Sequence, residues 1–495
     1  MRSSLPKVLH SLLGRTMLGH VLAVVDQALP GARTVVVVGK GADQVSDHVA
    51  AVAPAASTVL QAEQLGTGHA VRIALAELPE VAGNVIVLNG DIPLLREATL
   101  RSLVAEHDRA GRAGTLLTAE VPDPRGLGRV LRAEDGRVTG IVEERDATPE
   151  QRDIREINAG AYVFDAQALR GTLSRISTDN DQGEEYLTDV FSQLIAEGRP
   201  VAAHQAGDLT ETLGANDRAE LAGLRALLRD RVNQAWMCSG VSIIDPATTW
   251  IDVTVGLEPD VLVEPNTHLR GTTTVAEGAV VGPDTTVLDG RIGAGAVVVR
   301  AHIVNAVVGQ RAQVGPFAYL RPGTRLAARA KIGTFVEAKG AEVGEGAKVP
   351  HLTYVGDATI GEGTNIGAAT VFVNYDGVHK HRTTVGAHAR TGADNMFVAP
   401  VSIGDGAYTA AGSVITDDVP PGAMAVARGR QRNVEGWVER RRAGTASAEA
   451  AKRALTAGDG GGSEARGAGP GVEGASGSGD DGCGPAEVRT EGGPQ

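Results

Sequence analysis

The sequence has few aromatic residues, few cysteines and no excess of basic charge, and each shortage argues against a class of protein. Phe, Tyr and Trp together make up 3% of the 495 residues, and the two cysteines are Cys238 and Cys483. Two cysteines cannot build a disulfide framework, so a reducing compartment is expected. Acidic residues (60) outnumber Lys plus Arg (47), and the net charge of -13 argues against a protein that neutralises nucleic-acid phosphates.

Long apolar runs are also missing. No stretch approaches the ~18 apolar residues that cross a bilayer. The segment after Met1 is interrupted by His10, Ser11 and Gly14, so it lacks the apolar centre of a signal peptide. These absences predict a cytoplasmic protein that binds neither membranes nor nucleic acid.

Residues 1–216 alternate between short β-branched runs and helix-like segments, which is the pattern of βαβ units. The pattern predicts a Rossmann-like α/β domain with a mostly parallel sheet and with ligands at the carboxyl ends of its strands. The predicted strands are 34–38, 84–88, 115–121 and 161–164, and the predicted helices are 69–78 and 96–110.

A polar segment, residues 217–240, follows this domain. Leu221, Leu224, Leu228 and Val232 recur there at helical spacing, so one stripe can pack while the charged residues stay in water. We interpret it as a helical linker between two domains.

Residues 241–442 repeat a six-residue unit in which an aliphatic residue is usually followed by Gly. Hexapeptide periodicity is typical of a parallel β-helix whose aliphatic residues stack in the interior. A Gly-rich linker is the alternative, but a linker would not keep the aliphatic residue in phase over so many units. Clear repeats begin at Val281, Ile292, Ile332, Val343, Ile360, Ile366, Val385 and Ile403.

The last segment, 443–495, is rich in Ala, Gly, Ser and acidic residues. It offers too little apolar surface to offset the entropy of ordering, so we predict that it is disordered.

Candidate ligand residues in the first half lie where strands end. Asp91 follows the strand that ends near Leu88, and a carboxylate there suits Mg²⁺ as well as it suits a cap on the next helix. The Gly-rich turn 61–69 opens a helix, where backbone amides favour an anion or a base edge.

In the second half, Arg321 and Lys339 place two cations one coil apart, which suits a sugar phosphate. His351 lies beside them in the sequence, and a histidine is a natural general base near neutral pH. The segment 373–380 breaks the repeat and predicts a loop that leaves the β-helix, often the working face of a solenoid.

Taken together, these motifs resemble those of sugar-nucleotide pyrophosphorylases. With the hexapeptide half included, the chain is similar from Met1 to about Trp437 to the bifunctional N-acetylglucosamine-1-phosphate uridyltransferase / glucosamine-1-phosphate N-acetyltransferase family. The motifs that carry the resemblance are Ser4–Leu9, Gln61–His69, Asn89–Asp91, Gly126–Arg129, Glu143, Glu156–Gly160, Asn216 and the repeats.

The resemblance implies two activities. Acetyl-CoA acetylates glucosamine-1-phosphate, and the product then attacks UTP to give UDP-N-acetylglucosamine and pyrophosphate. It implies Mg²⁺ at Asp91 and Asn216 and a left-handed β-helix. In the uridyltransferase half, it assigns phosphate to Lys7, the uracil nucleotide to Gln61, Gly66 and Thr67, and the sugar to Gly128, Glu143 and Asn158.

For the acetyltransferase half, the resemblance implies a homotrimer with sites between neighbouring chains. Trp437 and Arg440–Arg442 either complete a neighbour's site or form a frayed terminal helix. Ala393 stands where the family usually has Ser, so only a backbone contact to coenzyme A is expected there. The roles implied are general base for His351; sugar-phosphate contacts for Arg321, Lys339, Tyr354 and Asn365; amine positioning for Glu337; and acetyl-CoA contacts for Ala368, Asn374, Tyr375, Ala393, Ala411 and Arg428.

One family feature is missing. Family members begin with a strand and a Gly-rich loop, L-A-A-G-x-G-T-R-M, and Met1 falls on its last residue. Without this first strand we expect exposed edges in the sheet. Either the start lies at an internal Met, which the intact downstream motifs favour, or the uridyltransferase half has decayed. The alternatives are thus a monofunctional acetyltransferase with an inactive first domain and a non-catalytic regulatory hexapeptide-repeat subunit.

Overall fold

The structure, a computed structural model, describes residues 1–78, 81–109 and 111–458. It has two compact units. Met1–Arg428 holds the α/β half, the linker and the β-helix, and the second unit begins at Gly429, ahead of the predicted boundary at 442. Of the helices described, none combines the length and apolar character needed to cross a membrane.

The first half consists of alternating strands and helices close to the predicted positions. Two 3₁₀ turns, Lys7–Leu9 and Leu209–Thr212, accompany them. The strands are β1 (Ser11–Leu12), β2 (Arg15–Thr16), β3 (Val35–Val38), β4 (Ser57–Leu60), β5 (Asn84–Leu88), β6 (Gly114–Glu120), β7 (Arg129–Arg132), β8 (Val138–Val142), β9 (Glu156–Asp165) and β10 (Val201–Gln205). The helices are α1 (Met17–Ala28), α2 (Ala42–Val52), α3 (Thr67–Ala76), α4 (Glu97–Arg109), α5 (Pro149–Arg152), α6 (Ala166–Leu173), α7 (Asp189–Ala196) and α8 (Arg218–Cys238).

The main sheet is mixed, so the prediction of a mostly parallel sheet is wrong. Its order is β10-β6-β9-β7-β8, with β5 paired to β9 as well. β10 and β6 run parallel, whereas β9 runs antiparallel to β5, β6 and β7. The reason lies in the connections. Between β6 and β9 the chain passes through the β7–β8 hairpin and the one-turn α5. This connection lacks the long crossover helix that usually links parallel neighbours.

The sheet is divided at the place where a strand was expected to be missing. β3 and β4 form a parallel pair of their own, and β5 pairs with β9 alone within the described residues. β3 and β5 line one cavity of about 2040 Å³, together with Leu18 and Val21 of α1 and Val71 of α3. The expectation of exposed strand edges is therefore confirmed.

α8 connects the two halves by packing against both. Leu221, Leu224 and Leu228 are buried in one cluster with residues of the α/β half, so the predicted stripe is confirmed. Val232 and Trp236, nearer its end, pack against the core of the second half.

From Ser242 the chain winds as a β-helix of short parallel strands, which confirms the predicted fold. Its aliphatic repeat residues point inward, and Val281, Ile332 and Ile366 are fully buried. A ring seldom fits this narrow core, although Phe372 and Phe397 meet in it with ring centroids 5.2 Å apart. The left-handed winding stays a prediction.

Three faces make up the described β-helix, with successive coils paired in register. Face 1 comprises Ser242–Ile243, Leu262–Val263, Val280–Val281, Val297–Val298, Gln313–Val314, Lys331–Thr334 and Lys348–His351, and continues through Asn365 to Arg390–Thr391, Tyr408–Thr409 and Met424–Ala425. Face 2 comprises Trp250–Ile251, Thr267–Arg270, Thr285–Leu288, Ala301–Val304, Ala318–Leu320, Glu337–Lys339, Tyr354–Gly356, Val371–Val373, Met396–Val398 and Val414–Ile415. Face 3 comprises Gly256–Leu257, Thr274–Val275, Arg291–Ile292, Val307–Val308, Arg325–Leu326, Glu342–Val343, Ala358–Ile360, Thr383–Val385 and Val401–Ile403.

The second unit contains two helices, α9 (Trp437–Arg441) and α10 (Ala446–Gly458). The guanidinium of Arg442, the residue that follows α9, lies 5.6 Å from the centre of the Trp437 ring. The prediction of disorder from 443 is wrong for α10, because its Ala-rich sequence has high helix propensity. The rest of the predicted tail, including Cys483, lies outside the described residues.

A buried arginine fixes the β7–β8 hairpin. The Arg129 side chain is 1% exposed and donates to Glu144 Oε2 at 2.6 Å. It also donates to the carbonyl oxygens of Leu127 and Arg152, so one guanidinium ties three loop segments together.

We expect Arg129→Met to lower the free energy of unfolding by about 2 kcal/mol, because the carbonyl oxygens of Leu127 and Arg152 lose their hydrogen-bond donor. Arg132→Met, three positions along the same strand, removes a more exposed ion pair with Glu156 and should cost no more than about 1 kcal/mol. Urea unfolding measures both, and equal losses would contradict the assignment.

The unpaired edges of β3 and β5 also make a prediction. Amides that face the cavity should exchange with deuterium much faster than those of β9, which is paired on both sides. Hydrogen exchange followed by mass spectrometry measures this. Protection of β3 and β5 equal to that of β9 would show that their edges are paired in solution.

Candidate active sites

The predicted phosphate and metal residues meet at one end of the cavity. Lys7 Nζ lies 2.6 Å from Asp91 Oδ2 and 2.7 Å from Asn216 Oδ1. Asp91 follows β5, and Asn216 precedes α8, whose N-cap is Asp217. Residues far apart in the sequence thus place a carboxylate oxygen and an amide oxygen around one ammonium group.

These two oxygens fit a hard cation. Asp91 supplies a carboxylate and Asn216 an amide oxygen, the ligand types that Mg²⁺ accepts alongside substrate phosphates. The Asn216 backbone is held in place, since its N–H donates to Glu220 Oε2 at 2.6 Å. Among the described residues, no group of three or more His, Cys, Asp or Glu forms a complete metal site. A cation held by these two oxygens would complete its coordination with water or with substrate oxygens.

The predicted nucleotide turn packs against a segment that the sequence analysis did not identify. Gly66 has φ of +107°, and a Cβ there would lie 2.5 Å from the carbonyl oxygen of Glu185, so Gly is required. The Gly68 N–H donates to that carbonyl at 2.7 Å, and Thr67 Oγ1 accepts from the N–H of Leu187 at 3.0 Å. Gln61 Nε2 closes the turn by donating to the Gly66 carbonyl at 3.1 Å.

The predicted sugar residues lie on the other side of the same cavity. Glu143 follows β8, and burial raises the pKa of its carboxyl group. The Thr188 hydroxyl donates to Glu143 Oε1 at 3.1 Å. Asn158 donates from its backbone N–H to the Gly128 carbonyl at 2.9 Å.

The cavity collects most of the predicted residues of the first half. Gln61 and Gly66 do not line it, although Thr67 of the same turn does. Thr188 lines it and was missed, because a single Thr before a helix carries no sequence signal beyond a possible cap. The predicted residues that line the cavity are Lys7, Thr67, Asp91, Gly128, Glu143, Asn158 and Asn216.

In the second half, the predicted sugar-phosphate residues Arg321, Lys339 and Tyr354 lie on or next to neighbouring strands of face 2, whereas Asn365 lies on face 1. Glu337 pairs in register with Tyr354, and Lys339 with Gly356. Arg321, just after the preceding strand, donates to Glu337 Oε1 at 2.9 Å. The nearby Lys380 lowers the pKa of the Lys339 ammonium group. Three cations from separate parts of the chain thus lie close together, namely Arg321, Lys339 and Lys380.

Asn374 is buried beside this cluster. Its Nδ2 donates to Asp357 Oδ2 at 2.6 Å, and the same oxygen lies 3.9 Å from Lys339 Nζ. A Cβ on Gly356 would lie 2.6 Å from Asn374 Nδ2 and 2.7 Å from the Tyr354 hydroxyl, so Gly allows both side chains to approach. The sequence analysis assigned no role to Asp357.

His351 lies along a different edge with four of the predicted acetyl-CoA residues, Ala368, Ala393, Ala411 and Arg428. His351 ends a face 1 strand with its side chain exposed, and its carbonyl accepts from the Ala369 N–H at 3.2 Å. By the register of the strands, Ala368, Ala393 and Ala411 occupy equivalent positions on successive coils. The Arg428 side chain passes Gly412 at the end of this column, and Asn365 bridges the coils on face 1.

Ala393 presents only its backbone to a ligand. Its carbonyl oxygen accepts from the Gly412 N–H at 2.9 Å and from Asn395 Nδ2 at 3.0 Å. Any backbone contact to coenzyme A at this position therefore falls to the N–H. Tyr375 lies farther along, 56% exposed, with its hydroxyl donating to the Gly377 carbonyl at 2.6 Å.

Comparison with known proteins agrees with this arrangement. Residues 2–254 match the nucleotidyl transferase family model. The chain is 58% identical over 454 residues to a bifunctional protein GlmU of Streptomyces avermitilis, covering 91% of this chain and 94% of that protein. It is 56% identical to a bifunctional protein GlmU of Streptomyces coelicolor, covering 93% and 96%. A Corynebacterium aurimucosum bifunctional protein GlmU is 53% identical, covering 92% and 94%.

Each of these relatives matches more than nine tenths of the chain, so the matches span both halves. The nucleotidyl transferase match accounts for the α/β half, and the full-length matches extend through the β-helix. The chain therefore belongs to the GlmU family of bifunctional enzymes.

Proposed function

We propose that the two sites of this chain divide the synthesis of UDP-N-acetylglucosamine between them. The β-helix transfers an acetyl group from acetyl-CoA to glucosamine-1-phosphate. The α/β half then joins the acetylated sugar phosphate to the uridylyl group of UTP and releases pyrophosphate. The observation that carries the proposal is the assembly of two separate polar sites from residues that are distant in sequence. A cytoplasmic location stays a prediction.

In acetyl transfer, the amine of glucosamine-1-phosphate attacks the thioester carbonyl and the coenzyme A thiolate leaves. Arg321 and Lys339 hold the sugar phosphate, with Tyr354 and Asn365 beside it. His351 accepts the proton that the amine loses. Glu337, which is engaged by Arg321, positions the amine. Asn374 and Tyr375 lie at the reacting acetyl group, and Ala368, Ala393, Ala411 and Arg428 hold coenzyme A.

The separation of His351 from the cationic cluster favours a homotrimer. The exposed His351 side chain makes no hydrogen bond to the cationic cluster in the described part of the chain. A neighbouring β-helix that brought its cluster to this edge would complete the site. Light scattering on the purified protein measures the mass of the assembly.

In uridyl transfer, an oxygen of the sugar phosphate attacks the α-phosphorus of UTP, and pyrophosphate leaves. Gln61, Gly66 and Thr67 hold the uracil nucleotide, while Gly128, Glu143 and Asn158 hold the sugar. Asp91 and Asn216 would hold Mg²⁺, which would neutralise phosphate charge when bound. Positioning of the substrates by the residues above and neutralisation of phosphate charge by Lys7 lower the barrier. Absence of UTP-dependent pyrophosphate release alongside normal acetyl transfer would favour a monofunctional acetyltransferase.

We expect His351→Ala to reduce kcat of acetyl transfer by about 10² to 10⁴. Release of the coenzyme A thiol measures this step, and pyrophosphate release should stay unchanged. His388→Ala is a control, because His388 is also an exposed histidine of the β-helix. Full acetyl transfer by His351→Ala would contradict its role as the base, and loss of uridyl transfer as well would indicate general damage.

We expect Lys7→Met to tighten Mn²⁺ binding in the absence of nucleotide. The Lys7 ammonium group contacts both oxygens that a cation would use, so removing it ends a competition. A competing ion pair worth roughly 1 kcal/mol corresponds to an affinity gain of about fivefold. Electron paramagnetic resonance measures free Mn²⁺, and Asp91→Asn should abolish the binding. Unchanged or weaker affinity in Lys7→Met would contradict the competition.

A further inference from the structure

Asp357 lies at the corner between faces 2 and 3, where the cationic cluster and the loop after Val373 meet. It follows the face 2 strand Tyr354–Gly356, and its backbone N–H donates to the Lys339 carbonyl at 2.8 Å. Its Oδ2 accepts from Asn374 Nδ2 at 2.6 Å and lies 3.9 Å from Lys339 Nζ. One carboxylate thus touches two residues of the proposed acetyl-transfer site.

The carboxylate determines which way the Asn374 amide faces. An ionised carboxylate can only accept hydrogen bonds, so it binds the amide nitrogen and excludes the amide oxygen. Asn374 is 7% exposed, which leaves little room for another rotamer. Its Oδ1 is therefore directed away from Asp357 and remains available as an acceptor. An acceptor suits the amine of glucosamine-1-phosphate, which carries N–H donors.

Asp357 also holds both ends of the loop that carries Asn374. Its side chain holds the start of the loop, and its carbonyl oxygen accepts from the N–H of Thr383, where the chain returns to face 3, at 3.3 Å. Within the loop, the N–H of His381 donates to the Asn374 carbonyl at 2.8 Å. The loop presents Tyr375 to the solvent and brings Lys380 to Lys339.

We propose that Asp357 is a positioning residue for acetyl transfer. It orients the Asn374 amide so that Oδ1 accepts a hydrogen bond from the substrate amine, and it sets the place of the loop. This inference rests on the proposed acetyltransferase function. Asp357 acts through Asn374 and does not itself touch the reacting atoms.

Asp357→Asn tests the orientation with little change in shape. An Asn at 357 can pair with either end of the Asn374 amide, so it retains a hydrogen bond but no longer selects the orientation. We expect kcat for acetyl transfer to fall about tenfold, the effect of roughly one misdirected hydrogen bond. The KM for acetyl-CoA should change little, and the midpoint of thermal unfolding should stay close to that of the natural protein.

Asp284→Asn is the matched control. Asn266 Nδ2 donates to Asp284 Oδ1 at 2.9 Å between coils at the other end of the β-helix, so the same type of contact is altered away from the site. This variant should keep the kcat of the natural protein.

A double-mutant cycle separates positioning from a general structural effect. If Asp357 acts through Asn374, then Asp357→Asn should reduce kcat no further in a background that already carries Asn374→Ala. Multiplicative losses in the double variant, or a kcat within twofold of the natural protein for Asp357→Asn alone, would overturn the inference. Acetyl transfer by the unaltered chain is measured in the same assay, and its absence would instead refute the proposed function.

Discussion

The stacking of aliphatic side chains inside the β-helix is the constraint on which the acetyl-transfer site depends. Each inward residue packs on its counterpart in the next coil. This stacking aligns neighbouring coils, so that Glu337 pairs in register with Tyr354 on face 2. A slip of one residue would reverse the direction of every side chain on the face. The polar residues of the site therefore need no separate scaffold, because the apolar interior already fixes their spacing.

The first half reaches its geometry by a different route. Lys7, Asp91 and Asn216 come from three distant parts of the sequence and meet because a 3₁₀ turn, a strand end and a helix start converge. No repeat fixes these distances. The site depends on cross-links such as Arg129 to Glu144 and on the approach of Glu185 to the glycine turn. Loss of a single contact can therefore disturb the site geometry in this half, whereas the β-helix would tolerate a comparable loss.

The sequence predicted the β-helix well because one periodic signal specifies both its strands and its core. Ile332 and Ile366 could be placed inside from their spacing alone. The antiparallel direction of β9 could not be predicted. A run of apolar residues does not show which way its strand runs in the sheet, and that direction depends on the lengths of the connections. The helix Ala446–Gly458 was not predicted, because its low apolar content favours disorder whereas its Ala-rich sequence has high helix propensity.

Sequence motifs point to His351 and Asp91 as candidate site residues, and their roles stay predictions. Asp357 and Thr188 were not identified by motifs, since each acts on another side chain from a different element. Their roles exist only once Asn374 and Glu143 have been brought beside them. A sequence pattern indicates which chemical groups a residue carries, whereas the neighbouring side chains determine which of its atoms can make a contact.

The segment that follows Glu184 has a consequence for how the uridyltransferase half responds to ligands. It contacts the nucleotide turn through Glu185 and Leu187, and its next residue, Thr188, holds Glu143 on the sugar side. A continuous stretch of backbone thus connects the turn that we assign to one substrate with the residue that we assign to the other. Linkage requires any influence between the two to be reciprocal: by whatever factor the nucleotide alters the affinity for the sugar, the sugar alters the affinity for the nucleotide.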